Sequence, residues 1–142
     1  MLRDELTPLL TEADTVPAGG YVNLYPRLSP GGRHVAFISN RNRDYFGQTS
    51  LFLYNFEKGE LTRVAGAVHG ALAWLPDTSG IIFSRRAVRP MNGSLQYDLY
   101  VHFLKDKREV RLSRGLRAES VDVSSDGRDL LFYVDQLLAI GL

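Results

Sequence analysis

The chain has 142 residues, with 17 basic side chains, 16 acidic side chains and no cysteine. Its length fits one domain, and a hydrophobic content of 44% is enough for a buried core. A net charge of +1 argues against a nucleic-acid binder driven by bulk charge. The absence of cysteine excludes disulfides, thiolate nucleophiles and cysteine-ligated metal sites. No apolar run reaches the roughly 18 residues of a membrane span, so membrane insertion is not expected.

We expect the first 21 residues to form an N-terminal arm. No export signal is expected at its start, because acidic residues stand at positions 4 and 5, where a signal peptide would have a basic and then an apolar stretch. Within this arm, Glu5-Leu6-Thr7 matches Glu60-Leu61-Thr62, which lies in a strand expected at 60–64. Pro8 is tolerable only in an edge strand. The pattern predicts an outer strand at 5–11, and the alternative is a frayed terminal arm.

The remainder of the chain contains an internal repeat. Phe37, Phe83 and Phe132 are equivalent and follow one another at spacings of 46 and 49 residues. A period in the forties that is built of short strands is typical of β-propeller blades. The aligned segments are 25–39, 73–84 and 121–133.

Apolar stretches rich in β-branched and aromatic residues predict four strands in each of the first two blades. In blade one, residues 22–66, we expect strands at 22–28, 34–40, 50–56 and 60–64. In blade two, residues 67–115, we expect strands at 70–75, 80–85, 97–104 and 109–112. Asp77 and Asp126 occupy the turn between the first two strands of their blades. They are expected to accept hydrogen bonds there, and not to act as paired catalytic carboxylates.

Blade three, residues 116–142, shows only three strands, expected at 118–123, 129–134 and 137–142, and we expect the arm strand at 5–11 to supply the fourth. Propellers usually have four to eight blades, so three cannot close a ring. The all-β chain is therefore predicted to be a propeller domain of three four-stranded blades that forms a six-bladed ring as a homodimer. The alternative is that the chain is part of a longer propeller protein.

These blades resemble the TolB-like β-propeller repeat family, in which a Ser-Pro-Asp-Gly turn precedes an apolar strand ending in Phe and Ser, followed later by Leu-Tyr. The resemblance covers the chain from about residue 22. Two turns depart from the pattern, with Gly31 in place of Asp and Ser125 in place of Pro, and the blade-two turn at 75–77 is interpreted as stretched. The matching residues are Phe37-Ile38-Ser39, Phe83-Ser84, Leu53-Tyr54 and Leu99-Tyr100.

The resemblance implies a propeller fold but no single function, because such propellers serve in envelope transport, peptidase gating and scaffolding. It also implies a bacterial, periplasmic location. If Met1 is the true start and no leader is removed, the cytoplasm is expected instead.

No catalytic machinery is evident in the sequence. The chain has no Gly-x-Ser-x-Gly elbow, and His34, His69 and His102 lack metal-ligand spacing. We therefore expect a non-enzymatic protein with no catalytic residue, no metal site and no cofactor.

The positions of the arginines predict a ligand-binding face, because several of them fall in connections that open on one face of the propeller. Such a face is expected to recognise carboxylates, phosphates or an acidic peptide. The alternative is a solvated rim that Asp44 and Asp98 partly neutralise. The candidate ligand-binding residues are Arg41, Arg43, Arg85, Arg86, Arg89, Arg114 and Arg117.

The sequence thus predicts a non-catalytic interaction module that binds a protein or peptide, with no nucleic-acid partner. One alternative is the propeller portion of a larger peptidase or hydrolase. The other is a structural subunit of a larger assembly.

Overall fold

The structure, a computed structural model, describes residues 21–41, 48–87, 96–134 and 137–141. The regular elements in these ranges are all β-strands, and every pair of neighbouring strands is antiparallel. No described segment forms a helix long and apolar enough to cross a bilayer.

Three separate sheets follow one another along the chain. The first has the order β1 (Asn23–Leu28), β2 (His34–Ser39), β3 (Ser50–Asn55), β4 (Glu60–Gly66). The second has the order β5 (Val68–Trp74), β6 (Gly80–Ala87), β7 (Gln96–Phe103), β8 (Glu109–Arg111). The third contains β9 (Ser120–Val123), β10 (Asp129–Tyr133) and β11 (Leu137–Gly141), with β10 in the middle.

These sheets are the three blades, and each observed strand boundary lies within two residues of the expected one. The outer strand expected at 5–11 lies outside the described residues, as does the turn expected at 135–136. Alternation along each strand places apolar side chains on both faces of a sheet, so each face needs cover from a neighbouring sheet.

Blades one and two share a core. Ile38 and Leu51 from blade one pack with Leu72, Ile81 and Phe83 from blade two, and none of the five side chains is more than 1% exposed. Full burial of such side chains stabilises the fold by about 1.5–3 kcal/mol each. The junction between the two blades is therefore a main source of stability.

Blades two and three pack in the same way. Ile82 and Leu99 from blade two contact Leu130 and Phe132 from blade three, and all four are buried. Phe83 and Phe132, which are equivalent in the repeat, thus lie in successive inter-blade cores. Phe37 belongs to a third buried cluster on the other side of blade one, with Val35 and Phe52.

The innermost strands also hold the blades together. The indole Nε1–H of Trp74 on β5 donates to the carbonyl of Arg27 on β1 at 2.9 Å. Between blades two and three, Gly70 lies so close to β9 that a Cβ at this position would be 1.8 Å from the carbonyl oxygen of Glu119. A side chain at position 70 would therefore separate the two blades.

One side of blade three is not covered by any sheet of the described residues. Leu131 and Tyr133 alternate with the buried residues of β10, point away from blade two, and are 42% and 52% exposed. In the repeat, Ala36 and Ile82 are equivalent to Leu131, and both are buried at 1% exposure or less because the next blade covers them. Blade three thus presents a surface that is an inter-blade contact elsewhere in the chain.

The turn between the first two strands is the same in all three blades. In each turn, one backbone N–H bonds to the carbonyl three residues earlier, in the pairs Gly32 to Ser29, Thr78 to Leu75 and Gly127 to Ser124. The donor residue has a positive φ, of 69°, 62° and 72° respectively. The interpretation of the blade-two turn as stretched was wrong, because its length and its hydrogen bonds equal those of the other two.

The turn aspartates have the expected structural role. Asp77 Oδ1 accepts from the N–H and hydroxyl of Ser79 at 2.9 and 2.6 Å. Asp126 Oδ1 accepts from the Ser124 hydroxyl at 2.6 Å and from the N–H of Arg128 at 3.0 Å. These hydrogen bonds favour the ionised carboxylates and lower the pKa of both aspartates, chiefly through the serine hydroxyls.

Thr78 is the strained member of the three turns, because a β-branched residue is unfavourable at positive φ. We expect Thr78→Gly to raise the free energy of unfolding by about 0.5–1 kcal/mol in urea denaturation, after the greater entropy loss of glycine is subtracted. Gly32→Ala should lower it by about 1 kcal/mol, although no atom lies within 4 Å of the new methyl group.

Gly31→Ala is the matched control, since that position has the same open surroundings without a positive φ. Equal effects of alanine at positions 31 and 32 would contradict the backbone explanation.

Candidate functional site

The connections that carry the candidate arginines meet at one end of the strands. We call this end the arginine face; it contains the β2–β3, β4–β5, β6–β7 and β8–β9 connections. The pairing of Val68 with Arg85 and of Arg86 with Tyr97 places the start of β5, the end of β6 and the start of β7 there. Arg43, Arg89 and Asp44 lie outside the described residues.

Arg41 is a buried member of the candidate set, at 5% exposure. Its guanidinium carbon lies 5.3 Å from the centre of the Tyr21 ring and 5.6 Å from that of Phe52, and its backbone N–H bonds to the Ser39 hydroxyl at 3.2 Å. These contacts anchor the end of β2 by packing and cation–π attraction. The side chain offers little surface to a ligand.

Arg85 and Arg86 both lie in β6, which extends two residues beyond the strand expected at 80–85, so neither belongs to the following connection in which the candidate arginines were expected. Consecutive strand residues point to opposite faces of the sheet, so the strand separates the two side chains. Arg85 lies 4.0 Å over the Tyr100 ring and forms a 2.5 Å ion pair with Glu109. Arg86 points the other way, is exposed, and has no ion pair among the described residues.

The connection from β8 to β9, residues 112–119, is held by a fully buried carboxylate. Asp98 accepts hydrogen bonds from Arg111, from the Ser113 hydroxyl at 3.1 Å and from the N–H of Leu116 at 3.3 Å. The hydrogen bond to Asp98 is the main cause of a raised pKa of Arg111. Asp98 therefore fixes the connection, and its ion pair is with Arg111, which is not one of the five candidate arginines that the structure describes.

Exposed basic and apolar side chains alternate on this connection. Arg114 and Arg117 are exposed, while Leu112 and Leu116 are 38% and 37% exposed. The N–H of Ala118 bonds to the Tyr97 carbonyl at 3.0 Å, and Tyr97 is the strand partner of Arg86. Tyr97 thus brings Arg86 next to the connection that carries the other two exposed arginines.

A cavity of about 230 Å³ opens on the arginine face and is lined by residues of blades one and two. A second cavity, of about 500 Å³, lies between the outer strands of the same blades. The second one is lined by both basic and acidic side chains, among them Lys58, Lys107, Glu60 and Glu109. Partial burial lowers the pKa of His102, which also lines it.

His34 has a structural role. Asn55 Oδ1 accepts from the N–H groups of Glu57 at 2.9 Å and Lys58 at 3.1 Å, which orients the amide nitrogen toward His34 Nε2 at 3.2 Å. Nε2 is therefore the acceptor in this hydrogen bond. Within the described ranges, no three His, Asp or Glu side chains are grouped so as to hold a metal ion.

Sequence reasoning missed the residues that shape this face. His69 was considered only as a metal ligand or catalytic base, and Tyr97 was counted only as a strand residue. Asp98 was a detectable signal, since a carboxylate inside a predicted central strand requires a partner. Its partner, Arg111, lies in the next strand of the same hairpin.

No protein-family model and no curated protein matches the chain. Solved structures do match. The chain superposes on a prolyl endopeptidase with a TM-score of 0.69 and 18% identity, over 92% of this chain and 20% of that one. A TolB-like protein from Agrobacterium tumefaciens matches with a TM-score of 0.62 and 22% identity, over 81% of this chain and 40% of that one.

The β-propeller domain of the trilobed protease from Pyrococcus furiosus, which is described as having an open velcro topology, matches with a TM-score of 0.64 and 16% identity. The match covers 84% of this chain and 37% of that one. The chain therefore has the fold of a β-propeller domain and spans well under half the length of these structural neighbours. These similarities confirm the predicted all-β propeller fold.

The Asp98 network gives a prediction for stability. We expect Asp98→Ala to lower the free energy of unfolding by about 3 kcal/mol, because it removes a buried carboxylate and leaves three donors unpaired. Asp98→Asn should cost less, since a carboxamide oxygen can still accept from Ser113 and Leu116. Urea denaturation of both variants measures the difference.

The control is Glu57→Ala, which removes the exposed Arg33–Glu57 ion pair at 3.4 Å. Such a pair contributes at most about 1 kcal/mol. A loss for Asp98→Ala no larger than that of the control would contradict the anchoring role of Asp98.

Proposed function

We propose that the chain is a non-catalytic interaction module, a TolB-like propeller unit that binds an acidic protein or peptide through the arginine face. The observation that carries the proposal is that Tyr97, the strand partner of Arg86, accepts a hydrogen bond from Ala118 on the connection that carries Arg114 and Arg117. All three arginines are exposed, and none forms an ion pair within the described ranges. An acidic ligand would supply the missing counter-charges.

The ligand proposed is acidic and partly apolar. Leu112 and Leu116 stand beside the arginines on a connection that Asp98 already holds in place. Binding to such a pre-organised segment costs little conformational entropy. Aliphatic contacts flanked by guanidinium groups suit a peptide in which carboxylates and large apolar residues alternate.

The test compares two arginine triplets of equal charge. Arg86, Arg114 and Arg117 are replaced together by Gln, and the control replaces Arg33, Arg108 and Arg128, which are exposed in turns at the opposite end of the strands. Binding of a fluorescent peptide of alternating Glu and Leu is followed by anisotropy at physiological salt. We expect about a tenfold or greater loss of affinity for the first triplet and less than about twofold for the control.

Equal losses for both triplets would show that net charge alone governs binding, and the arginine face would be refuted. Absence of binding to the unmodified protein would refute the acidic ligand.

We further propose that two chains associate head to tail into a six-bladed ring. Leu131 and Tyr133 are exposed on the outer side of blade three. At the other end of the arc, Leu28 is 65% exposed and pairs with Val35, which places it on the side of blade one that faces away from blade two. A second copy would cover both ends by the contact that already joins the blades within one chain.

Light scattering coupled to size exclusion tests the ring. We expect twice the monomer mass for the unmodified chain, and the monomer mass for Leu131→Glu, because a buried charge at the junction is costly. Leu112→Glu is the control, since Leu112 is similarly exposed but lies outside the junction. A monomeric unmodified chain, or equal dissociation by both variants, would refute the ring, provided that circular dichroism shows folded protein.

The propeller domain of a larger peptidase is the second candidate. It is favoured by the similarity to prolyl endopeptidase and trilobed-protease structures, of which the chain spans 20% and 37%. The mass of the native protein on an immunoblot of its source cells separates the two candidates.

The periplasm is the compartment that the TolB resemblance favours.

A further inference from the structure

The smaller cavity on the arginine face has rigid walls. The Thr49 hydroxyl donates to the Val68 carbonyl, and the N–H of Val68 donates to the Thr49 carbonyl at 3.1 Å. The N–H of Arg86 bonds to the Ala67 carbonyl at 3.0 Å. Five backbone groups at the wall are thus already paired, and a ligand must be recognised mainly by side chains. The cavity is lined by Gln48, Thr49, Ala67, Val68, His69, Arg86 and Tyr97.

Strand pairing brings the cavity's polar side chains together. Arg86 and Tyr97 are direct partners across β6 and β7, and partners in an antiparallel pair share one face of the sheet. His69 pairs with Ser84, two residues before Arg86 and therefore on the same face. The rings of His69 and Tyr97 lie 5.3 Å apart. Gln48 adds an exposed carboxamide from blade one.

The charge of this lining selects for an anion. Among the described residues it contains one guanidinium, one imidazole, one phenol and one carboxamide, and none of these lining residues is acidic. The larger cavity differs, because Glu60 and Glu109 accompany its basic residues. Arg86 also differs from its neighbour Arg85, whose charge is already balanced by Glu109. An incoming anion is therefore the available partner for Arg86.

The geometry favours a carboxylate over a phosphate. Phosphate sites commonly use several free backbone N–H groups, whereas the N–H groups of Val68 and Arg86 are occupied by carbonyls. A single planar guanidinium matches the two oxygens of a carboxylate. The volume of about 230 Å³ suits one amino-acid side chain or one chain terminus rather than a drug-sized ligand.

We propose that this cavity is a subsite for a single carboxylate of a bound peptide, paired bidentately by Arg86, with His69, Tyr97 and Gln48 as neighbouring donors. The inference rests on the proposed function and names the position at which one acidic group of the ligand is bound. Arg114 and Arg117, on the adjacent connection, would attract the flanking acidic residues.

The test is an NMR titration of the full chain with small probes. Acetyl-aspartate N-methylamide supplies a side-chain carboxylate, and acetyl-alanine supplies a terminal one. Acetyl-asparagine N-methylamide is the neutral control, and inorganic phosphate tests the competing anion. We expect either carboxylate to shift the His69 ring and Tyr97 backbone signals with a dissociation constant of about 1–10 mM. The probe that binds more tightly shows whether the carboxylate of the ligand belongs to a side chain or to a chain terminus.

Arg86→Gln should weaken carboxylate binding about tenfold or more, and Arg86→Lys should give an intermediate loss, because an ammonium group cannot form the bidentate pair. Arg128→Gln, an equal change of charge in an exposed turn at the opposite end of the strands, is the matched control and should leave these shifts unchanged. The subsite is refuted by carboxylate shifts that persist in Arg86→Gln, by equal shifts with the neutral probe, or by tighter binding of phosphate.

Failure of the subsite is distinguishable from failure of the proposed function. If the alternating Glu-Leu peptide binds as tightly to Arg86→Gln as to the unmodified chain but is lost when Arg114 and Arg117 are replaced, the arginine face stands and the subsite is wrong. If the peptide binds none of the proteins, the proposed function itself is wrong.

Discussion

Each sheet of this protein has apolar side chains on both faces, so a sheet is stable only when another sheet covers it. This requirement determines most of the structure. Phe83 lies between blades one and two, and Phe132 lies between blades two and three. It also explains why Leu131 is 42% exposed while the equivalent Ile82 is 1% exposed, since blade three has no described neighbour beyond it. The proposed ring extends the same contact to a second copy and introduces no new kind of interface.

A buried charge connects this scaffold to the proposed binding face. Asp98 is fully buried, yet its contacts hold the connection that carries the exposed side chains of Arg114, Leu116 and Arg117. Carboxylates are rarely buried without partners, and here three donors compensate for the loss of water. The exposed arginines thus lie on a segment that the hydrogen bonds to Asp98 already hold in one conformation, so that ligand binding need not order it. A flexible loop of the same composition would bind more weakly.

Adjacent arginines in one strand serve different purposes. Arg85 stabilises the interior side of blade two through Tyr100 and Glu109, while Arg86 lines a cavity in which none of the described lining residues is acidic. The alternation of side chains along a strand is sufficient to produce this division. Backbone strain occurs on the same face, because Ala67 at the cavity and Arg117 on the connection both have φ near 55°. Such strain in non-glycine residues is often found at binding sites.

The sequence by itself determined the strands, the repeat and the chemistry of the turns. These features depend on local alternation and on residues such as Asp126, whose hydrogen-bond partners lie within two positions in the chain. Only the tertiary structure decided which charges are used inside the protein. Arg85 forms an ion pair with Glu109, which lies 24 positions later in the sequence. The cavity is lined by Gln48 and Tyr97, which come from different blades. Contacts of this kind depend on strand register and on blade stacking, which are set by the packing of the whole chain rather than by neighbouring residues.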